Sequence, residues 1–296
     1  MAAVGVRDLG YRPYEGARLP ASRNTWVLFR HATARAWSSW FVKVAVLFGW
    51  IPPAVALVIF AVQSKFTAAA AAAAQAAPGA APGTAAAALS PASVLRAAEG
   101  FQFWLVLSLI TLGSGATAIA RDMEFRAFRF YLAKPVEPWQ YLAARVLGVA
   151  VWCFGILWVP AVFYLLGAAA LTETPAHLGL VIPATLSAIV TSLSLGAASV
   201  GVSAASRSRG LTMSLWLVVL LVPHVLSKLV SAQTGSPWTE LISLPALLGR
   251  VADALYRVGG EETGLDVRYA APALALLVGG FTALAWHRVK HAEVIT

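Results

Sequence analysis

Apolar residues along this chain fall in blocks of about 20, set apart by short charged stretches, and a hydrocarbon layer roughly 30 Å thick takes about 20 helical residues to cross. The blocks predict spans near 42–63, 101–120, 146–171, 178–204, 211–230 and 270–286. Only Thr172 to His177 separate the third from the fourth, enough for a tight helical hairpin. The expected fold is an all-α integral membrane protein with six transmembrane helices.

The flanking pattern adds detail. In 22–41, Trp26, Phe29, Trp37, Trp40 and Phe41 recur at spacings that share one helical face, with Arg23, Arg30 and Arg35 largely off it. That is the signature of an amphipathic helix lying in the membrane interface; the plainer alternative is an aromatic belt on an early start of the first span. Residues 67–89 are nearly all alanine, broken by Gln75, Pro78, Gly79, Pro82 and Gly83, and read as a low-complexity, poorly ordered loop. Segment 231–269 holds an apolar stretch from Trp238 to Val251, too short to cross and suited to a short or re-entrant helix. The fourth span is rich in Ser, Gly and Ala between Ser187 and Ala204, which lets neighbours approach closely and places it centrally in the bundle. Pro52-Pro53, Pro160 and Pro223 predict kinks.

Composition agrees: 59% of residues are hydrophobic and 12% charged, where soluble domains run near a quarter charged. The net charge of +9 would point to nucleic acid in a soluble protein; here topology accounts for it. With the N-terminus in the cytoplasm and alternating spans, 16 of the 22 Lys and Arg fall on the cytoplasmic side and 6 opposite, while the acids divide 6 and 7. That asymmetry is what the positive-inside rule counts. Both termini are therefore expected in the cytoplasm, with residues 64–100 and 231–269 extracytoplasmic, and a bacterial inner membrane as the setting. The division is then a cytoplasmic and interfacial segment, 1–41, followed by the six-helix domain, 42–296. Residues 1–24 carry charges without an apolar run and do not read as a cleavable signal peptide. The single cysteine, Cys153, lies in a span and reads as a small packing residue.

Catalytic signatures are missing from the sequence. There is no G-x-x-x-x-G-K-[ST] phosphate loop, no H-E-x-x-H and no nucleophile elbow. His224, the one histidine within a span, stands four residues before Lys228, so both share a helix side. They are candidates to line a substrate path, because ionisable groups in spans face cavities; the alternative is a bonded histidine and a lysine snorkelling to the headgroups. His287 and His291 read as a basic helix end rather than a metal site.

The connection between the second and third spans is the informative one. Phe125, Phe128 and Leu132 form an apolar stripe, while Glu124, Arg126 and Arg129 lie elsewhere around the helix, a combination suited to docking in a protein groove. It continues into Leu-Ala-x-Pro-Val at 132–136 and Tyr141-Leu142 at the head of the next span. This resembles the loop of ABC type 2 exporter permeases: Glu-x-x-x-Gly-Thr, then Leu-x-x-Pro-Val, then Tyr-Leu-x-x-Lys. Ala127-Phe128 replaces the Gly-Thr-like pair, and an arginine, Arg145, stands for the basic residue. The resemblance implies a permease subunit with a second permease copy or paralogue and a separate ATPase, which would hold ATP and magnesium. This chain would hold no cofactor. The 121–145 segment would be the coupling loop, with Glu124, Phe125, Arg126, Phe128 and Arg129 meeting the ATPase; membrane lipid is a partner and nucleic acid is not. Alternatives are a membrane-embedded lipid-modifying enzyme, with Asp122 and Glu124 as candidate acids, or a non-transporting assembly factor. The transported substrate is not legible.

Overall fold

The computed structural model describes residues 22–76, 90–127, 136–172, 175–258 and 264–291. Every regular element among them is helical. Helix α1 (Ser22–Trp37) is followed by α2 (Trp40–Phe48) and α3 (Ile51–Ala76). Composite helix α4 (Pro91–Glu124) comes next, then α5 (Pro138–Thr172), α6 (Val181–Ser203), α7 (Arg209–Thr234), α8 (Leu244–Tyr256) and α9 (Val267–His291). Six segments are long and apolar enough to cross a membrane: Trp40–Thr67, Pro91–Glu124, Pro138–Thr172, His177–Ser203, Arg209–Thr234 and Val267–His291. All six expected spans are present, most of them longer than the apolar blocks alone indicated.

Several boundaries differ from the sequence reading, each for a physical reason. Residues 22–41 are not one helix: α1 stops at Trp37 and α2 restarts at Trp40, so the five aromatics are split between two axes. Trp26 and Trp40 are exposed, whereas Trp37 stacks on Trp152 of α5 with ring centroids 4.9 Å apart. The alanine run continues α3 as far as Ala76, because alanine is the strongest helix former; 77–89 lie outside the described residues. The helix of the 231–269 segment, α8, is packed among the spans: Leu244, Leu247 and Leu248 join the main core.

Helix α6 is the centre of that core, as its small residues predict, and is buried almost continuously from Ser194 to Ser203. A methyl group added at Gly201 would stand 2.6 Å from the carbonyl oxygen of Phe281 in α9. One at Gly196 would stand 2.9 Å from the carbonyl of Val146 in α5. These contacts bring backbones together as small-residue packing does in lipid.

In hydrocarbon a backbone group released from the helix ladder has no water to turn to, and the chain answers its own helix breakers. Proline lacks an N–H, so the carbonyl four residues earlier loses its partner. Pro53 frees Gly49 in this way and Pro160 frees Ile156. Gln102 of α4, fully buried, donates its amide to both of those carbonyls, at 2.8 and 3.1 Å. One side chain thus stitches three spans together at their proline sites. Helix α4 has its own irregularity: two wide turns, Phe103–Leu107 and Thr111–Gly115, in which N–H groups reach back five residues. After the second, Ser203 of α6 accepts from the N–H groups of Ile119 and Ala120, at 2.9 and 3.0 Å. Trp216 of α7 donates to Thr111 at 3.0 Å, tying the fifth span to the same stretch.

Replacing Gln102 by Glu keeps its size and removes both donors. Each stranded buried acceptor costs about 1–3 kcal/mol, so Gln102→Glu should lower the melting temperature of the detergent-purified protein well beyond Gln233→Glu at the exposed end of α7. Equal melting of the two variants would show that the proline sites need no such stitch.

Candidate functional site

The end of α4 carries the residues that the sequence marks for docking. The helix closes with paired bonds, Arg126 N–H to Met123 C=O at 3.2 Å and Ala127 N–H to Asp122 C=O at 2.8 Å. This closure puts the penultimate residue in the left-handed region, ordinarily a glycine's place; here it is Arg126, at φ 52°. Phe125 projects outward at 61% exposure. Glu124 makes an ion pair with Arg209 at the head of α7, at 3.0 Å. Phe128 and Arg129 fall outside the described residues, as does the rest of 128–135.

Asp122 is the residue that sequence reasoning undervalued. It is 1% exposed, and its carboxylate holds together three elements. One oxygen accepts from Arg35 of α1 at 2.9 Å. The other accepts from Arg145 of α5 and from the hydroxyl of Tyr141, the latter at 2.6 Å. Arg145 is itself buried. Helix α5 begins at Pro138, eight residues before the expected third span, so Arg145 sits inside a helix rather than in a loop. That early start puts it within reach of Asp122. The useful signal was the general one: an ionisable group flanked by apolar sequence needs a buried partner.

His224 and Lys228 lie at the other end of the bundle, on the wall of a cavity of about 280 Å³ between α4, α7 and α8. His224 Nδ1 is 3.2 Å from the Ser243 hydroxyl and its ring lies 4.9 Å from that of Trp104. Lys228 is mostly exposed and stands 4.0 Å from Glu240. The same wall carries Glu99, buried and accepting from Ser187 at 2.9 Å and from Tyr256. Arg96, one turn away, pairs with Asp253 at 2.7 Å. Of the described charges in the 231–269 segment, Glu240, Arg250 and Asp253 are thus paired within the fold. Glu240 receives two bonds from Arg250, at 2.7 and 2.8 Å. Burial pushes its carboxyl up, but the Arg250 hydrogen bond and charge, the Leu265 N–H and Lys228 outweigh that and hold it below the usual range. Cys153 is buried, as a packing residue would be. His287 and His291 stack at 4.1 Å, and no group of three or more metal-ligating side chains occurs among the described residues.

Two outcomes follow from these pairings. A carboxyl depressed in the folded state stabilises above its unfolded value and loses that contribution as pH falls through the folded one. Glu240 should therefore add to the loss of thermal stability as pH falls through and below the ordinary carboxylate range, a contribution that Glu240→Gln should remove at the expense of stability at pH 7. At the other end, Asp122→Asn strands the buried Arg145, a change costing about 3–5 kcal/mol for a buried pair. Adding Arg145→Met should recover part of that loss in a melting experiment; purely additive effects would show the two residues to be uncoupled.

A search of curated proteins returned no match. The description "ABC-2 family transporter protein" matches residues 32–277, from within α1 into the first half of α9. With six membrane-crossing helices, a buried charge cluster at the foot of α4 and the loop pattern that follows it, the chain belongs to the ABC-2 transporter family, as a membrane permease component of an ABC transporter.

Proposed function

We propose that this chain is the permease subunit of an ATP-driven exporter, with a separate ATPase docked on the 121–145 segment and a second permease copy or paralogue beside it. The observation that carries the reading is the wiring at the root of that segment. Immediately before the exposed Phe125, Asp122 clamps α1 and α5, and Glu124 grips the first residue of α7. A push on Phe125 and Arg126 is delivered to four elements together, as an ATP-dependent closure beneath the membrane would require. Phe128 and Arg129 extend the same docking face in sequence.

ATP and magnesium belong to the partner, which accords with the missing phosphate loop. The Lys and Arg asymmetry supports both termini and the docking face in the cytoplasm of a bacterial inner membrane, and the exposed Trp26 and Trp40 support α1 and the start of α2 at headgroup level. His224 and Lys228, beside Glu99 on the wall of the 280 Å³ cavity, are the polar groups that a substrate would meet at the far end. A lipid-modifying enzyme loses support, because both of its candidate acids are occupied: Asp122 by two arginines and Glu124 by a third.

The test is co-purification with an ATPase from the native membrane and reconstitution of the complex. Phe125→Ala and Arg126→Glu should each weaken association by about tenfold, the scale of an interface hot spot. Arg257→Gln, at the opposite end, should leave it unchanged. Arg126→Gly keeps the left-handed turn and removes only the side chain, so it should match Arg126→Ala if the guanidinium makes the contact. Undiminished association in the first two variants would overturn docking on this segment.

A further inference from the structure

The largest cavity described lies beside the Asp122 cluster, and the established family membership assigns it nothing. It has a volume of about 640 Å³ and opens between the α1–α2 elbow, the foot of α4, α5 and the head of α7. Four guanidinium groups line it: Arg35, Arg121, Arg145 and Arg209. Asp122 and Glu124 offset two of these charges. That leaves a local excess of about two positive charges in a partly enclosed site, where Coulomb forces are screened far less than in water.

Two further features aim the cleft at an anion. The helices α2 and α7 both begin on its wall, at Trp40 and at Arg209-Gly210. The first N–H groups of a helix have no partner in their own ladder and carry the positive end of its dipole. Ser39, which precedes α2, spends its hydroxyl on no cap bond there, whereas Ser208 caps α7 at Leu211, so α7 offers the N–H groups of Arg209 and Gly210. Arg121 makes no ion pair or hydrogen bond among the described residues, and its Nε is buried without a partner. Burying a guanidinium N–H unsatisfied is costly, and here the flanking arginines add repulsion. A second anion would relieve both.

We propose that this cleft binds a phosphate group, held by Arg121 and Arg209 with the N-termini of α2 and α7. Convergent N–H donors around a small tetrahedral anion suit phosphate oxygens, and a charge of −1 to −2 matches the excess. The cleft volume accommodates a phospholipid headgroup as well as the free ion. Its setting beside exposed Trp40 places it where headgroups lie. The inference does not depend on where an ATPase docks.

The experiment uses the full chain, purified in a neutral detergent and examined by native mass spectrometry and thermal shift. Three probes are added separately: phosphatidylglycerol, phosphatidylcholine and inorganic phosphate. The expected result is a retained phosphatidylglycerol adduct with a raised melting temperature. Affinity should fall about tenfold in Arg121→Gln, the scale of one charge-assisted bond, and be restored largely by Arg121→Lys. Lys43→Gln, a cation on α2 away from the cleft wall, should leave binding unchanged. Should Arg121→Gln not fold, Arg209→Gln carries the same expectation. Binding of inorganic phosphate with the same arginine dependence, and no preference for the lipid, would identify the free ion as the source. Absence of any shift with both anions, or adducts indifferent to Arg121 and Arg209, would overturn the site. So would equal binding of the zwitterionic lipid in wild type and both variants.

Discussion

Gln102 shows the constraint under which this bundle is arranged: in hydrocarbon, a backbone carbonyl released by a helix breaker needs a donor from elsewhere in the chain. The prolines at 53 and 160 sit in different spans, yet the carbonyls they free lie close enough for one amide to serve both. That fixes the relative height of the first, second and third spans more tightly than apolar packing, which tolerates sliding. Ser203 does the equivalent at the foot of α4, closing the two N–H groups exposed after the wide turn. The irregular turns of α4 are thus affordable because neighbours with the right polar atoms are already in place. They also set the helix rotation that presents Glu99 to one cavity and Arg121, about 33 Å further along at 1.5 Å per residue, to the other.

Charge obeys the same rule. Each deeply buried acid has its donors from other elements: Glu99 from α6 and α8, Asp122 from α1 and α5. Polar atoms inside the bundle therefore act as ties between helices rather than as isolated reactive groups. Arg121 is the departure, a cation with a buried Nε and no protein partner among the described residues. Gln63 and Ser227 also bury an oxygen without a partner, but Arg121 is the charged remainder, and it is the one that points to a group the chain alone does not contain.

The six spans, the central place of the small-residue helix and the character of the 231–269 segment were legible because each follows from local composition. A stretch of 20 apolar residues or a run of small side chains carries its meaning wherever it packs. The Asp122 cluster was not legible in that way. Arg145 and Asp122 are separated by a connection whose length says nothing about which helix face each occupies, and the early start of α5 moved Arg145 from loop to core. The prolines announced themselves; Gln102 did not, since the pairing is created by tertiary packing. Still, a lone glutamine or carboxylate in an apolar block is itself a question about its partner, and Gln102, Glu99 and Asp122 all pose it.

The division of labour along α4 then takes a physical form. At one end the helix meets a cavity whose wall mixes Glu99, His224 and Lys228, and at the other it ends in a strained turn with Phe125 exposed. Between them it is bonded to α6 through Ser203, to α7 through Thr111 and to α3 and α5 through Gln102. A helix held at so many points cannot yield locally to a push at its end. The displacement has to be carried by the neighbours with which it shares hydrogen bonds, and those neighbours surround both cavities. Under the docking proposed above, movement at Phe125 and access at the far cavity would be joined by this continuity of bonded polar atoms.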